Sequence, residues 1–316
     1  MFILDNKSVT STLGTFTIKD IEAVTGIKGP TLRMWEQRYG IINPKRSETN
    51  IRYYDDSDLK QLLNISVLNN HGFKISEIAK MSEEEIAENV IRLSSFSSEH
   101  SNQIKALISA MLGFNEAEFH KLLSAAIMQH GLEYTLLKIV FPFLNEVGIL
   151  WQVGSIQPSH EHFVTNLVKQ KLFVAIDGMI GRSAAGSKRF LLFLPENEKH
   201  SLGLLFANYL IRSRGHEVVY LGQEVPLKDL KFAFSEHQPD FILTLMTSSQ
   251  PDLNKQDFVD FLSRNWPSSQ ILLTGSQFLM CDLELRKNIT LIKNLDAFIC
   301  LLDNIREAPL RAGLRI

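Results

Sequence analysis

The feature that most restricts the fold is the apolar run Phe190-Leu191-Leu192-Phe193-Leu194-Pro195, together with the polar stretch from Glu196 to Ser201. An unbroken apolar run this short, closed by Pro, reads as a buried strand over 189–195, and Ser201 to Arg214, closed by Gly215, reads as the helix after it. Glu198 and His200 then fall in a strand-to-helix turn, with Gly203 just beyond. In an open parallel sheet that turn lies at the carboxyl edge, where ligands bind. Further strands are expected at 217–221, 240–245, 270–274 and 297–301, and helices near 227–237, 254–265 and 278–287. The alternation predicts a doubly wound parallel α/β sheet over residues 187–302, with 303–316 as a tail.

The chain is long enough for more than one core: it has 316 residues, 45% of them hydrophobic. Its net charge of −2 excludes a global basic field. Locally the balance differs. Between Lys28 and Arg52, the cations Lys28, Arg33, Arg38, Lys45, Arg46 and Arg52 face only Glu36 and Glu48, a local charge of +4. Phosphate contact depends on such local charge, because counterion release follows the phosphates actually neutralised.

That basic stretch has a definite shape. After a flexible tail over 1–14, Thr17 with Asp20 three residues on opens a helix carrying Ile18, Ile21 and Val24, and Gly26 turns the chain. Gly29-Pro30 starts a second helix that runs to Gly40, so two helices surround a glycine turn: a helix-turn-helix. Residues 41–46 and 51–54 then form a two-stranded wing. A third helix capped by Asp56 or Ser57 runs to Gly72, a fourth spans 75–81, and Ser82 opens a short fifth. The domain is read as 15–85, and a linker as 86–101, where Ser94 to Ser101 is of low complexity.

The order Thr31-Leu32-Arg33-x-Trp35-Glu36, then Pro44-x-Arg46, then Arg52-x-Tyr54 followed by Asp58-Leu59, closely resembles the MerR family of winged-helix regulators. The resemblance implies that the second helix enters the major groove of double-stranded operator DNA and the wing grips flanking phosphates. It makes Arg33 a base or phosphate contact and gives phosphates to Arg46, Arg52 and Tyr54. Thr17, Lys28, Thr31, Arg38 and Tyr53 complete the DNA-facing set, while Trp35 belongs to the core. Asn50 stands where the wing commonly has Gly, and Asn tolerates the left-handed turn.

Residues 102–182 hold four helical segments, most economically a four-helix bundle. Asn115 with Glu118 caps one, Gly131 ends it, 132–151 and 159–180 come next, and Pro142 bends the third. Trp151 ends one helix and Glu161-His162 begin the next after a short loop, so all three belong to one end of the bundle. Metal binding by His160, Glu161 and His162 is disfavoured, because neighbours two apart on a helix point to different faces. Cys281 and Cys300 read as small core residues in a reducing compartment.

The spacing Glu198-x-His200-x-x-Gly203 resembles the acid-x-His-x-x-Gly motif of cobalamin-binding proteins of the methionine synthase and mutase families, and Trp151-x9-Glu161-His162 resembles the cap of CarA/CarH-type regulators. By that resemblance His200 is the lower axial ligand to cobalt and Glu198 orients it. Neutral imidazole binds metal, and a carboxylate on its other nitrogen fixes the tautomer and raises its basicity. Glu198 replaces the usual Asp, which implies a hold one methylene looser. Thr244-Leu245-Met246 stands for the family's Ser-x-Leu and Gly275-Ser276 for its Gly-Gly, both lining the pocket for the nucleotide tail; Trp151 and Glu161 flank the upper group.

Together these imply a multidomain, non-enzymatic regulator: winged helix-turn-helix, four-helix bundle and Rossmann-like cobalamin-binding sheet. It is expected to repress transcription as an adenosylcobalamin-bound homo-oligomer, dimer or tetramer, that light releases from DNA. Gln152 follows Trp151 where light-sensing relatives can carry His. The alternatives are a cofactor-independent regulator with a vestigial cobalamin domain and a corrinoid methyltransferase or mutase subunit, for whose substrate module the chain has no room. No stretch reaches 18 uninterrupted apolar residues, so no membrane span is expected and the place is the cytoplasm.

Overall fold

A computed structural model describes residues 16–46, 50–94, 100–184, 186–248, 250 and 253–311, which divide into two compact units between Val164 and Thr165. The 1–14 tail, the wing tip at 47–49 and the Ser-rich 95–99 lie outside the described residues.

In the first unit, α1 (Ile18–Thr25) opens with the expected capping box, Thr17 Oγ1 accepting the Asp20 N–H while Asp20 accepts the Thr17 N–H at 2.8 Å. Helix α2 (Gly29–Tyr39) has Pro30 in its first turn. Strands β1 (Lys45–Arg46) and β2 (Arg52–Tyr53) pair antiparallel with Arg46 opposite Arg52, and Asn50 between them takes the left-handed φ of 62°. The cap of α3 (Asp56–Asn70) is Asp55, not Asp56 or Ser57: its carboxylate accepts the Asp58 N–H at 3.0 Å, and the Asp58 carboxylate accepts the Asp55 N–H at 2.9 Å. After α4 (Ile75–Ile78), α5 (Glu83–Ser94) runs well past residue 85, with Ile86 and Val90 buried, so helix occupies much of the stretch read as linker.

Four helical segments come next, as expected: α6 (Ser101–Leu112), α7 (Glu116–His130), a continuous run made of α8 (Leu132–Thr135), a π turn (Leu136–Val140) and α9 (Phe141–Gln152), then α10 (Pro158–Asp177). The π turn has a cause. Pro142 lacks an N–H and its ring crowds the carbonyl four residues back, and the helix accommodates it by widening just before it, where the Phe141 N–H reaches Leu136 O. The segment Leu132–Gln152 is long and apolar enough to cross a membrane by length and composition. Its Leu136, Ile139, Val140, Phe143, Leu144 and Val147 are instead buried inside the unit. Helices α3 and α5 pack on α9, and Ile149 and Val153 join the core of the winged helix.

The second unit alternates β3 (Arg189–Pro195), α11 (Ser201–Ser213), β4 (Glu217–Val225), α12 (Leu227–His237), β5 (Phe241–Leu245), α13 (Lys255–Asn265), β6 (Gln270–Thr274), α14 (Ser276–Leu279), β7 (Ile289–Leu291) and α15 (Leu295–Arg311). All five strands are parallel, in the order β4-β3-β5-β6-β7. Leu191 and Phe193 turn to one face with residues of α12 and α13, among them Leu230, Phe234, Phe258 and Leu262. The intervening Phe190, Leu192 and Leu194 turn to the other, and α11 packs on β3 and β4.

Several expectations fail in the C-terminal part of the chain. Residues 297–301 are helix rather than strand, and α15 continues through 303–311, so the first nine residues of the expected tail are helical. Asn294 caps the Ala297 N–H at 2.8 Å, and the buried Phe298 and Leu302 are four apart on one helical face. The fifth strand is the three-residue β7, too short to announce itself. The helix expected at 278–287 is one turn only, because Gln256 on α13 takes both the N–H and the carbonyl of Glu284 and holds that stretch non-helical. Cys300 is exposed and Cys281 half-buried, so neither is a core residue.

Candidate cofactor site and DNA-binding face

Strand order reverses at β3, whose neighbours are β4 and β5. A ligand crevice forms at such a switch point, between the loops that leave the carboxyl ends of the two strands flanking it. Here those loops carry His200 and Thr247-Ser248.

The turn after β3 is set by Asn197, which takes φ 65°, and by the Glu198 N–H on Pro195 O at 3.1 Å. It buries the Glu198 side chain completely while His200 stays about one-fifth exposed. Glu198 Oε1 accepts from His200 Nδ1 at 2.6 Å, the His200 N–H at 2.9 Å and Ser248 Oγ at 3.2 Å. Its Oε2 accepts from the Thr247 N–H at 2.6 Å, the Ser248 N–H at 2.8 Å and Thr247 Oγ1 at 3.1 Å. Burial pushes the carboxyl up, but the His200 imidazole and the Ser248 and His200 N–H groups outweigh it and hold Glu198 at about 2.

The arrangement fixes chemistry at one atom. With Nδ1–H held on a carboxylate, Nε2 is the ring nitrogen that carries the lone pair. Glu198 is not looser for being longer than Asp; the added methylene lets it bridge two loops. Thr247 and Ser248, which no motif in the sequence singles out, are the other half of this clamp.

Other expected residues fall nearby in the fold with different roles. Gly203 is the third residue of α11. Thr244 is fully buried in β5, and its hydroxyl has no hydrogen-bond partner among the described residues. Such an orphan fits a ligand group reaching beneath the sheet edge, since leaving it unpaired costs about 1–3 kcal/mol. Gly275 takes φ 102° and passes so close to β5 that a Cβ would lie 2.2 Å from Met246 O. Ser276, buried, donates to Thr247 O at 3.3 Å, so it braces the clamp.

In the first unit, Trp151 is in the last turn of α9 and Glu161 in the first turn of α10. Glu161 pairs with the exposed His162 at 3.2 Å, whereas His160 stacks on Phe114 at 4.5 Å. Among the described residues no group of three or more His, Cys, Asp or Glu is placed to hold a metal ion. A single clamped imidazole suits a metal that brings its remaining ligands with it, as cobalt in a corrin does.

The DNA-binding set divides. Arg33, Arg38 and Arg46 are exposed, with Arg38 over the Tyr39 ring and Arg46 donating to Asn50 at 2.8 Å. Lys28 is exposed and pairs with Glu22, Thr31 and Tyr53 are half-buried, and Thr17 is engaged in its capping box. Tyr54 departs from expectation: it is fully buried, pairs with Phe16, and donates its hydroxyl to Glu36 at 2.6 Å. A phosphate cannot reach it. Glu36 also accepts from Arg52 at 3.2 Å, so this carboxylate in the basic helix ties helix to wing. Burial, then the Glu36 hydrogen bond, pushes the Tyr54 hydroxyl well above its ordinary range. Trp35 is core, as expected.

Residues 16–85 match the family model of MerR helix-turn-helix regulatory proteins, and residues 103–175 match a B12-binding domain model. The chain thus joins a MerR-type helix-turn-helix regulatory domain to a B12-binding domain, the organisation of a DNA-binding transcriptional regulator controlled by cobalamin and not of an enzyme. Its relatives narrow the class. It is 28% identical over 259 residues to the HTH-type transcriptional repressor CarH of Myxococcus xanthus, covering 79% of this chain and 84% of CarH. To CarA of the same organism, also an HTH-type transcriptional repressor, it is 27% identical over 243 residues, 75% and 79% of the two chains. Among solved structures, the monomethylamine corrinoid protein of Methanosarcina barkeri superposes with a TM-score of 0.50 at 13% identity, over 67% of this chain and 99% of that one, a likeness of fold.

Proposed function

We propose that this chain is a cytoplasmic repressor that grips operator DNA as a homo-oligomer while adenosylcobalamin is bound, and releases it in light. The observation that carries the reading is the Glu198–His200 clamp at the switch point of the sheet, supported by the likeness to two proteins named as repressors. His200 Nε2 would hold the cobalt. Gly203, Thr244, Gly275 and Ser276 would hold the nucleotide tail, and Trp151, Glu161 and His162 would contact the adenosyl group. The bound cofactor supplies a cobalt–carbon bond that visible light breaks. Position 152 is Gln, so the residue directly after Trp151 supplies no imidazole. Several heads presented together, as a dimer or tetramer, bind repeated operator sites by avidity.

Incubating the purified protein with adenosylcobalamin in the dark should leave cobalt absorption bands on the protein peak in size-exclusion chromatography. Green light should shift that peak to smaller size, and His200→Ala should lose the bands. Equal retention by wild type and His200→Ala sinks the ligand assignment. A wild type that retains no corrinoid points to a cofactor-independent regulator.

On the DNA side, Arg33, Arg38, Arg46 and Lys28 meet the duplex, with Arg52, Thr17, Thr31 and Tyr53 supporting. Arg33→Ala should weaken binding to a selected duplex by about 1–3 kcal/mol with little change in melting temperature. Tyr54→Phe should do the reverse, lowering stability by about 1–2 kcal/mol because Glu36 is left short of a donor. Anisotropy titrations and thermal melts of both variants separate the two roles. A stability loss confined to Arg33→Ala would contradict this division.

A further inference from the structure

We infer that Lys60, on the third helix of the DNA-binding head, is a positioning residue for Trp151 and couples that side chain to the head. The inference rests on the cofactor reading above, since it concerns what a change at Trp151 does elsewhere.

The Lys60 Nζ stands 4.6 Å from the centroid of the Trp151 ring, within range of a cation–π contact. Trp151 itself is held firmly. The Gly154 N–H reaches Trp151 O at 3.0 Å and the Ser155 N–H reaches Leu150 O at 2.9 Å, with Gly154 at φ 77°. Those two bonds form a Schellman motif, which locks the last turn of α9. Ile149 and Val153, two residues to either side, pack into the core of the winged helix. At 100° per residue they project from the side of α9 away from Trp151. The end of α9 is therefore gripped by the head on one side through apolar packing and touched on the other by a cation of the same head.

Neither contact involves a residue of the DNA-facing set, and each ties the head to α9. What they do is make the position of Trp151 a property of the head. A group that stacks against the indole, or leaves it, changes the seat of the Lys60 ammonium, and α3 and α5 respond with α9. Because coupling between two binding events is reciprocal, DNA binding changes the indole's readiness for its ligand by the same factor.

The test uses the full-length protein, adenosylcobalamin in the dark, and a fluorescein-labelled duplex that the wild type has selected from a random-sequence library. Duplex affinity is measured with and without cofactor, and cofactor affinity with and without duplex. Wild type should show a coupling ratio of at least about fivefold, equal in both directions. Lys60→Met, which keeps the stem and removes the charge, should bring the ratio to within about twofold of unity while cofactor-free duplex affinity stays near wild type. Lys60→Arg, which keeps a cation for the ring, should retain the ratio. A Lys60→Met protein with the wild-type ratio overturns the inference, as does a Lys60→Arg protein that loses it along with Lys60→Met. If wild type takes up no adenosylcobalamin, it is the cofactor reading itself that fails.

Discussion

Glu198→Ala should destabilise the second unit by on the order of 3–5 kcal/mol and lower cofactor affinity by about 10–100-fold. Both effects come from one carboxylate. Its removal takes the carboxylate acceptor from the buried N–H of Thr247, the half-buried N–H of Ser248 and the Nδ1–H of His200. An unmet donor inside a protein costs more than the bond it would have made. The affinity loss arises because His200 then loses the carboxylate that fixes its tautomer, leaving only the hydroxyls of Thr247 and Ser248, 3.0 and 3.1 Å from Nδ1, which are weaker acceptors. Acid should reproduce part of the defect. Glu198 is held at about 2 against an ordinary value of 4.5, so its contribution is whole above about pH 4.5 and is lost as pH falls toward 2. Hydrogen exchange in urea, followed on peptides from 190–200 and 241–248, should show a wild-type advantage over Glu198→Gln that is large at pH 7 and shrinks below pH 4.5. An advantage independent of pH would mean that the charge of Glu198 contributes nothing.

The parts of this site that are legible in the sequence are those that act through neighbours in the chain. The apolar run of β3, the turn after it and the spacing of Glu198, His200 and Gly203 are all local, and β3 and β6 have the expected limits. Thr247 and Ser248 are not legible, because their role depends on β5 lying beside β3, and sequence order alone does not say which strands pair. Tyr54 misleads for a similar reason. An aromatic residue at the base of a basic wing suits phosphate contact, and only the packing of Phe16 and the reach of Glu36 turn it inward. At 297–301 a short apolar run is indistinguishable from a buried strand by composition, and the Asn294 cap decides for helix. The reach of α5 and its packing with α3 against α9, which joins head and bundle in one core, likewise depend on contacts distant in sequence.

Gly275→Ala should cost more than about 4 kcal/mol, among the largest effects of any glycine replacement in the described chain. Two penalties add there. The backbone has φ 102°, which L residues rarely adopt, and the new Cβ would meet Met246 O at 2.2 Å and its C and N at 2.7 Å. Those neighbours are backbone atoms of the segment leaving β5, so no rotamer change relieves the contact. Gly26 provides the control: its φ is 73° and nothing lies within 4 Å of a Cβ, so Gly26→Ala should cost only about 1–2 kcal/mol of conformational strain. If the sheet survives in Gly275→Ala, it does so by pushing Met246 away, and the next two residues are Thr247 and Ser248. The Glu198 clamp must then loosen, and cofactor retention should fall with stability. Thermal melts of the two variants, with adenosylcobalamin retention measured on each, check this directly. Equal stability of the two proteins would show that the approach of β6 to β5 is not tight. A destabilised Gly275→Ala with undiminished cofactor affinity would show that the clamp tolerates movement of the β5 loop. The strain at Gly275 thus matters to the site through its neighbours: it lets the β6 turn sit against the loop whose donors fix Glu198, and through Glu198 the His200 imidazole.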